Sequence, residues 1–219
     1  YQYPLEQLLP KYDDSGTVIV DKDGNIVYED EISTDIFQVD YGHLYYQTGF
    51  ITYSEWKPDI TTALISNGTY LYTFGPESTQ IFNYTSEVDS PFKSPTNGAN
   101  GIGCKAPNSV VNNSDYIFFL GSASIGNNGI YQYVNNTLTK ISTTVLERYI
   151  NDLKDITDGI GQSWVEDGHL FYSITFNRAN KTFVYDVTTG LWSRRESNGN
   201  KWNLSNSTQW NNLTCFGTY

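Results

Sequence analysis

The feature that most constrains the fold of this chain is a strand-opening pattern that recurs along it. In this pattern, a turn residue and one variable position are followed by three or four apolar or aromatic residues. It occurs as GHLYY at 42–46, GTYLY at 68–72, DYIFF at 115–119 and GHLFY at 168–172. A second apolar run follows the last three, as QIFNY at 80–84, GIYQY at 129–133 and TFVYD at 182–186. Aromatic and β-branched runs on either side of Gly, Asn or Asp turns predict antiparallel hairpins.

The spacing of these hairpins favours a repeated architecture. The second runs recur about every 50 residues, within the range of propeller blades, and each unit has room for about four short strands. We therefore predict an all-β fold, a β-propeller-like repeat of four-stranded blades with one short connector helix. A two-sheet sandwich, which also shows short strands at regular spacing, stays open as the alternative. Residues 1–60 are predicted to be an N-terminal β segment that could form part of a blade, and residues 61–219 the propeller-like repeat.

The number of units predicts that the chain is an incomplete fragment. About four units would make a small or unfinished ring. The chain also begins at Tyr1 and contains no Met, which favours a segment of a longer protein.

A helix near 144–153 interrupts the strand pattern. Thr144 is the expected N-cap, because Glu147 follows it at the spacing of a capping box. Apolar residues then recur on one helical face, at Val145, Leu146, Tyr149, Ile150 and Leu153. We interpret the helix as a connector that packs against the end of the sheets, with docking of a partner as the alternative.

The charge of the chain argues against a nucleic-acid-binding surface. Its net charge is −11 and only 17 % of its residues are charged, whereas 16 % are aromatic, among them 18 Tyr. Phosphate contacts need clustered Lys and Arg. An acidic chain suits a surface that DNA passes without adhering.

No arrangement of residues singles out a catalytic, cofactor-binding or metal site. His43 and His169 both follow Gly in the strand-opening pattern, which indicates a structural position. Residues 21–25 (DKDGN) resemble part of a calcium loop but lack its distal Glu, so a plain hairpin turn is preferred. Cys104 and Cys215 match no metal spacing. A disulfide between them stays open, with two unpaired thiols preferred.

An ordered series of short motifs resembles the packaged-DNA stabilisation proteins of short-tailed bacteriophages, the tail accessory or tail hub family. The motifs are FGPESTQIF at 74–82, SPF at 90–92, GCKAPNSV at 103–110, FFLG at 118–121, KIST at 140–143, Glu147, DGHLFYSITF at 167–176 and TFVYDVTTGLWSRR at 182–195. Each motif is short and generic, but their order over more than a hundred residues is specific. The first 60 residues carry none of them.

This resemblance implies a β-propeller-like structural protein without catalytic residues or cofactors. It implies a homo-oligomeric ring that contacts the portal and other tail proteins, with DNA passing through its lumen without sequence-specific binding. The implied location is the tail or neck of the virion, reached from the host cytoplasm during assembly. Independently of the resemblance, no apolar run of the sequence approaches the length of a membrane span. Gly103, Cys104, Pro107 and Ser109 lie in the family's loop motif, and we interpret them as structural.

The function expected from the sequence is therefore that of a tail or neck component, assembled below the portal, that helps to retain or conduct packaged DNA. A carbohydrate-binding β-propeller or adhesin domain is the alternative, because Trp, Tyr and Asn are abundant. A glycosidase is a weaker alternative, because acidic residues are frequent but no pair of them stands out. An enzyme is not expected.

Overall fold

The computed structural model describes residues 22, 37–40, 43–46, 57, 59–85, 91–123, 128–211 and 213–218. The chain forms two compact units, one of Tyr1–Tyr53 with Ser86–Pro91 and one of Ser54–Thr85 with Phe92–Tyr219. In the first unit, strands β1 (Phe37–Asp40) and β2 (His43–Tyr46) pair as an antiparallel hairpin. The predicted hairpin around Asp23 and the calcium-like loop at 21–25 lie outside the described residues, except for Lys22. The division of the chain at residue 60 stays a prediction.

The described residues of the second unit form three five-stranded sheets and a two-stranded one, all antiparallel. The first sheet consists of β3 (Ala63–Asn67), β4 (Tyr70–Phe74), β5 (Thr79–Tyr84), β6 (Phe92–Lys93) and β7 (Ala99–Asn100). The second consists of β8 (Ile102–Cys104), β9 (Val111–Asn113), β10 (Tyr116–Ala123), β11 (Gly129–Val134) and β12 (Thr137–Lys140). The third consists of β13 (Gly159–Glu166), β14 (His169–Phe176), β15 (Lys181–Asp186), β16 (Leu191–Ser197) and β17 (Asn200–Lys201). The last consists of β18 (Leu204–Trp210) and β19 (Leu213–Thr218).

The three hairpins that the repeat predicts are confirmed. They form the central pairs of the three large sheets, β4 with β5, β10 with β11 and β14 with β15. Each large sheet is a four-stranded meander with one additional short strand, β7, β8 or β17. The all-β prediction with a blade-sized repeat is therefore correct.

Strand β10 holds the unit together because it is buried on both faces. Ile117 and Phe119 point towards the first sheet, where Phe119 lies 4.9 Å from Phe74 between ring centres. Phe118 and Leu120 point towards the third sheet, and the Phe118 ring stacks on Tyr172 at 4.8 Å. A sheet with a core on each side belongs to a stack of more than two layers, so the two-sheet sandwich is wrong.

The stacking continues from the third sheet to the last hairpin. One face of the third sheet packs against β18, where Trp164 and Val184 contact Leu204. Phe216 of β19 packs beside them. The sheets of this unit thus pack face to face in the order in which the chain makes them.

The helix, α1 (Thr144–Asp152), follows β12 and packs Leu146 and Ile150 into the core between the second and third sheets. Its N-cap is Thr143 and not Thr144. Thr143 is the last residue with extended backbone (φ −82°, ψ 157°), and its hydroxyl accepts a hydrogen bond from the Leu146 amide at 3.3 Å. Glu147 therefore comes one position too late for a capping box.

Glu147 instead ties the helix to the second sheet. Its Oε1 accepts a hydrogen bond from the Ser142 hydroxyl at 2.9 Å and lies 3.0 Å from Lys140 Nζ. The Ser142 hydroxyl also accepts the Ile130 amide of β11 at 3.1 Å. In the part of the chain that the structure describes, no helix has the length and apolar character needed to cross a membrane.

Burial of β10 on both faces leads to a prediction about two neighbouring residues. We expect Phe118→Ala and Phe119→Ala each to lower the free energy of unfolding by about 3–5 kcal/mol, since each leaves a cavity in a different core. Leu191→Ala is the control, because Leu191 is 68 % exposed and its loss should change stability by less than about 0.5 kcal/mol. Urea unfolding measures all three. A large effect of only one Phe would contradict the two-sided core.

Candidate functional site

The loop motif singled out from the sequence forms a segment that crosses between the sheets, here called the crossing segment (102–110). It follows β7 of the first sheet, adds β8 to the edge of β10, and makes a 3₁₀ turn at Pro107–Ser109 before β9. Pro107 begins this turn, where a missing amide proton costs nothing. All four residues of the motif lie in this segment.

Gly103 allows the crossing segment to lie directly against the first sheet. A Cβ at this position would stand 2.2 Å from the Glu77 amide nitrogen and 2.3 Å from the Pro76 carbonyl carbon. These are backbone atoms that cannot move aside as a side chain can. Next to it, the Cys104 amide donates to the Gly75 carbonyl at 2.7 Å.

Cys104 is a buried thiol with hydrogen-bond partners in its own segment. Its sulfur donates to the Ala106 carbonyl at 3.2 Å and lies 3.7 Å from the Ser109 hydroxyl. Burial raises the pKa of the thiol to about 11, more than the hydrogen bonds with Ser109 and Ala106 lower it. Cys104 and the exposed Cys215 are both free thiols, as the sequence favoured.

Ser109 connects three elements through its hydroxyl and its carbonyl. The hydroxyl donates to the Ala106 carbonyl at 2.6 Å and accepts the Leu120 amide of β10 at 2.9 Å. The Ser109 carbonyl accepts the Tyr172 hydroxyl of β14 at 3.0 Å. Tyr172 is fully buried, and burial raises the pKa of its hydroxyl well above the ordinary value, so it stays protonated as a donor. The crossing segment thereby joins the first, second and third sheets.

Sequence reasoning missed Tyr172 and Gly161 as partners of this segment. A Cβ on Gly161 would stand 2.4 Å from the Ser109 carbonyl oxygen, so β13 also needs Gly at its point of contact. Tyr172 lies in the GHLFY motif, but nothing in the motif indicates which aromatic residue meets a carbonyl far away in sequence.

A row of polar side chains joins the first strands of neighbouring sheets. Asn112 of β9 donates to the Ser66 carbonyl of β3 at 2.7 Å, and Asn113 donates to the Ser163 hydroxyl of β13 at 3.0 Å. Between β13 and β18, Gln162 donates to the Ser205 carbonyl at 3.1 Å. These bonds, two to carbonyls and one to a hydroxyl, fix each sheet against the next.

A cleft of about 290 Å³ lies beside this row, between β9, β13 and β18. Its lining carries no ionisable side chain and consists of Asn113, Ser114, Ser163, Trp164, Val165, Ser207, Thr208 and Gln209. Such a lining offers hydroxyl and amide groups but no acid, base or nucleophile with a shifted pKa. Among the described residues, no group of three or more His, Cys, Asp or Glu side chains is placed to hold a metal ion.

His169 has a structural partner at the end of its hairpin. Its Nδ1 lies 2.9 Å from Asp186 Oδ2, which also accepts the Thr189 hydroxyl at 2.9 Å. Desolvation raises the pKa of Asp186, but the hydrogen bonds from His169, Thr189 and Thr188 outweigh it, so the pKa lies below its ordinary value. His43 opens β2, the equivalent strand of its own hairpin.

We expect Gly103→Ala to destabilise the protein by about 3 kcal/mol, because the new methyl group meets backbone atoms of the turn between β4 and β5. The matched control is Gly68→Ala. Gly68 has a positive φ of 59°, but no atom lies within 4 Å of the position that an added methyl group would take, so the cost should be only about 1 kcal/mol of backbone strain. Thermal unfolding of both variants measures the difference, and equal losses would contradict the close approach.

We expect Ser109→Ala to lower the free energy of unfolding by about 1–3 kcal/mol, because the buried Leu120 amide loses its acceptor. Ser193→Ala is the control. Ser193 is exposed and its hydroxyl makes one long contact of 3.5 Å to Val184, so its removal should cost less than about 0.5 kcal/mol. Denaturant unfolding and hydrogen exchange at Leu120 test both. An unchanged exchange rate at Leu120 in Ser109→Ala would refute the assignment.

Comparison with known proteins agrees with this architecture. No curated protein matches the chain. A family model described as bacteriophage P22 Gp10, β-propeller, matches residues 15–215, which is most of the chain and includes all the sheets of the second unit except the end of β19. The chain therefore belongs to the phage-stabilisation family of P22 Gp10 β-propellers, which are structural proteins of bacteriophages.

Proposed function

We propose that this chain is part of a tail or neck component that assembles as a homo-oligomeric ring below the portal and helps to retain packaged DNA. The observation that carries the proposal is the family match over residues 15–215. The stacked sheets support it, because a core on each side of β10 and a crossing segment bonded to all three large sheets make a rigid body suited to assembly.

The distribution of charge supports a role beside DNA and refines it. The first unit contains twelve Asp and Glu but only two Lys, whereas the second contains twelve Asp and Glu and eleven Lys and Arg. Nearly all of the net charge of −11 therefore belongs to the first unit. We infer that the first unit faces the path of the DNA, since carboxylates repel phosphates and keep the duplex from adhering.

The motif residues have a structural role in this proposal. Gly103, Cys104, Pro107 and Ser109 shape the crossing segment, and each acts through packing or hydrogen bonds within the second unit. The portal, other tail proteins and neighbouring copies of this chain are the proposed partners.

The carbohydrate-binding alternative gains little support from the described Trp residues. Trp164 is 3 % exposed, and its ring is enclosed by Phe171, Trp202 and Phe216. Trp192 donates its indole proton to the Ile141 carbonyl at 2.8 Å. Of the four Trp residues that the structure describes, Trp210 alone is largely exposed, at 69 %. A sugar-binding site needs free aromatic faces for stacking, and three of these four Trp side chains are not largely exposed, so the structural role is preferred.

DNA retention tests the proposal directly. DNA-filled phage heads that lack this protein should lose their genome on incubation, and the added protein should preserve it, measured as DNA protected from nuclease. Image reconstruction of the treated heads should show a ring of this protein below the portal. Heads that bind no protein and release DNA at an unchanged rate would refute the function.

Charge variants test which unit faces the DNA. Asp13→Asn, Asp14→Asn and Asp30→Asn combined remove three charges from the first unit, and should make release of DNA slower and more dependent on salt. Asp115→Asn, Asp152→Asn and Asp167→Asn remove three exposed charges from the second unit as the matched control, and should leave release unchanged. The reverse result would place the DNA beside the second unit.

A further inference from the structure

The guanidinium group of Arg195 lies against three aromatic rings. Arg195 Cζ lies 5.4 Å from the centre of the Trp164 ring, 5.5 Å from Phe171 and 5.0 Å from Trp202. These rings belong to β13, β14 and the connection between β17 and β18. All three lie within the range of about 6 Å at which a cation is attracted by a ring face. We call the three rings the aromatic cage.

The walls of the cage support one another without the cation. Trp164 stacks on Phe171 at 5.4 Å and meets Trp202 edge to face at 5.3 Å. Phe216 closes the far side, 5.6 Å from Trp164 and 5.4 Å from Trp202. Because these rings form the core between the third sheet and β18, we expect their arrangement to persist when the occupant changes.

A carboxylate stands at the edge of the cage. Glu166 Oε2 accepts the Trp164 indole proton at 3.2 Å, which fixes its position, and lies 3.9 Å from Arg195 Nη2. Arg194, by contrast, holds Glu196 directly, with 2.7 Å between Nη2 and Oε2. The Arg195 guanidinium is thus held mainly by the rings, with the carboxylate as a more distant counter-charge.

The side of the cage that holds Arg195 faces the solvent. The Arg195 side chain remains 35 % exposed, so the head group lies in the mouth of the cage and is not sealed inside it. Three aromatic rings with a neighbouring carboxylate form an environment that suits quaternary ammonium groups, which carry positive charge without hydrogen-bond donors.

We propose that the aromatic cage is a cation site that Arg195 occupies in this structure, and that it accepts a trimethylammonium group of the choline type when the Arg195 side chain is withdrawn. Arg195 is then an internal competitor, covalently tethered beside the cage and therefore present at a high effective concentration. The proposal is independent of the role in DNA retention, since it rests on the cage alone.

Titration with choline chloride tests the site in the whole chain. In Arg195→Ala we expect saturable changes in Trp fluorescence and in the indole resonances of Trp164 and Trp202, with an apparent affinity at least roughly tenfold above that of the unaltered protein. Sodium chloride at equal ionic strength controls for screening. Arg194→Ala is the matched control, because Arg194 pairs with Glu196, and should behave like the unaltered protein. Adding Trp202→Ala to Arg195→Ala should abolish the response.

Three results would overturn the proposal. One is a folded Arg195→Ala protein, with native near-ultraviolet circular dichroism, that shows no response to choline. Another is a choline response of the unaltered protein equal to that of Arg195→Ala, which would show that choline binds outside the cage. If Arg195→Ala fails to fold, Arg195→Gln keeps much of the side-chain stem; failure of both would show that the guanidinium is a fixed part of the core and not an exchangeable occupant.

Discussion

The second unit depends on the burial of β10 from both sides. Four consecutive residues, from Ile117 to Leu120, alternate between two cores and are all inaccessible to solvent. A strand of this kind cannot face water on either side, so it requires a sheet above it and a sheet below it. The order of sheets in the unit follows from that requirement. The crossing segment then fixes the distance between the sheets. Gly103 and Gly161 allow backbone atoms to approach closely, whereas a larger residue at either position would force them apart.

Much of this architecture can be predicted from the sequence, because hairpins are local. GTYLY, DYIFF and GHLFY each precede a second apolar run at hairpin distance, and all three pair as expected. The N-cap of α1 lies one residue before the expected position, since Thr143 and Thr144 are chemically identical and only the backbone conformation distinguishes them. The sequence alone cannot distinguish a two-sheet sandwich from a propeller-like repeat. It shows the alternation of residues along a strand, but not how many sheets pack against that strand.

The contacts between sheets cannot be predicted from the sequence, for a physical reason. Tyr172 and Ser109 are 63 residues apart, and their hydrogen bond depends on the relative position of two sheets that no local pattern encodes. The aromatic cage is similar. In the sequence Arg195 is only part of a motif, whereas its partners Trp164, Phe171 and Trp202 come from three other segments. The family resemblance supplies the architecture and the structural function, and the packing supplies the reasons for particular residues.

The face-to-face order of the sheets has a consequence for biosynthesis. Each large sheet of the second unit is made from residues close together in sequence and packs on the sheet made just before it. The hairpin contacts within each sheet join residues that are close together in sequence, so they carry a small loop-closure cost. The chain can therefore fold as it leaves the ribosome, each new sheet covering the aromatic face exposed by the last. An aromatic-rich chain would in this way expose little adhesive surface at any stage of its synthesis.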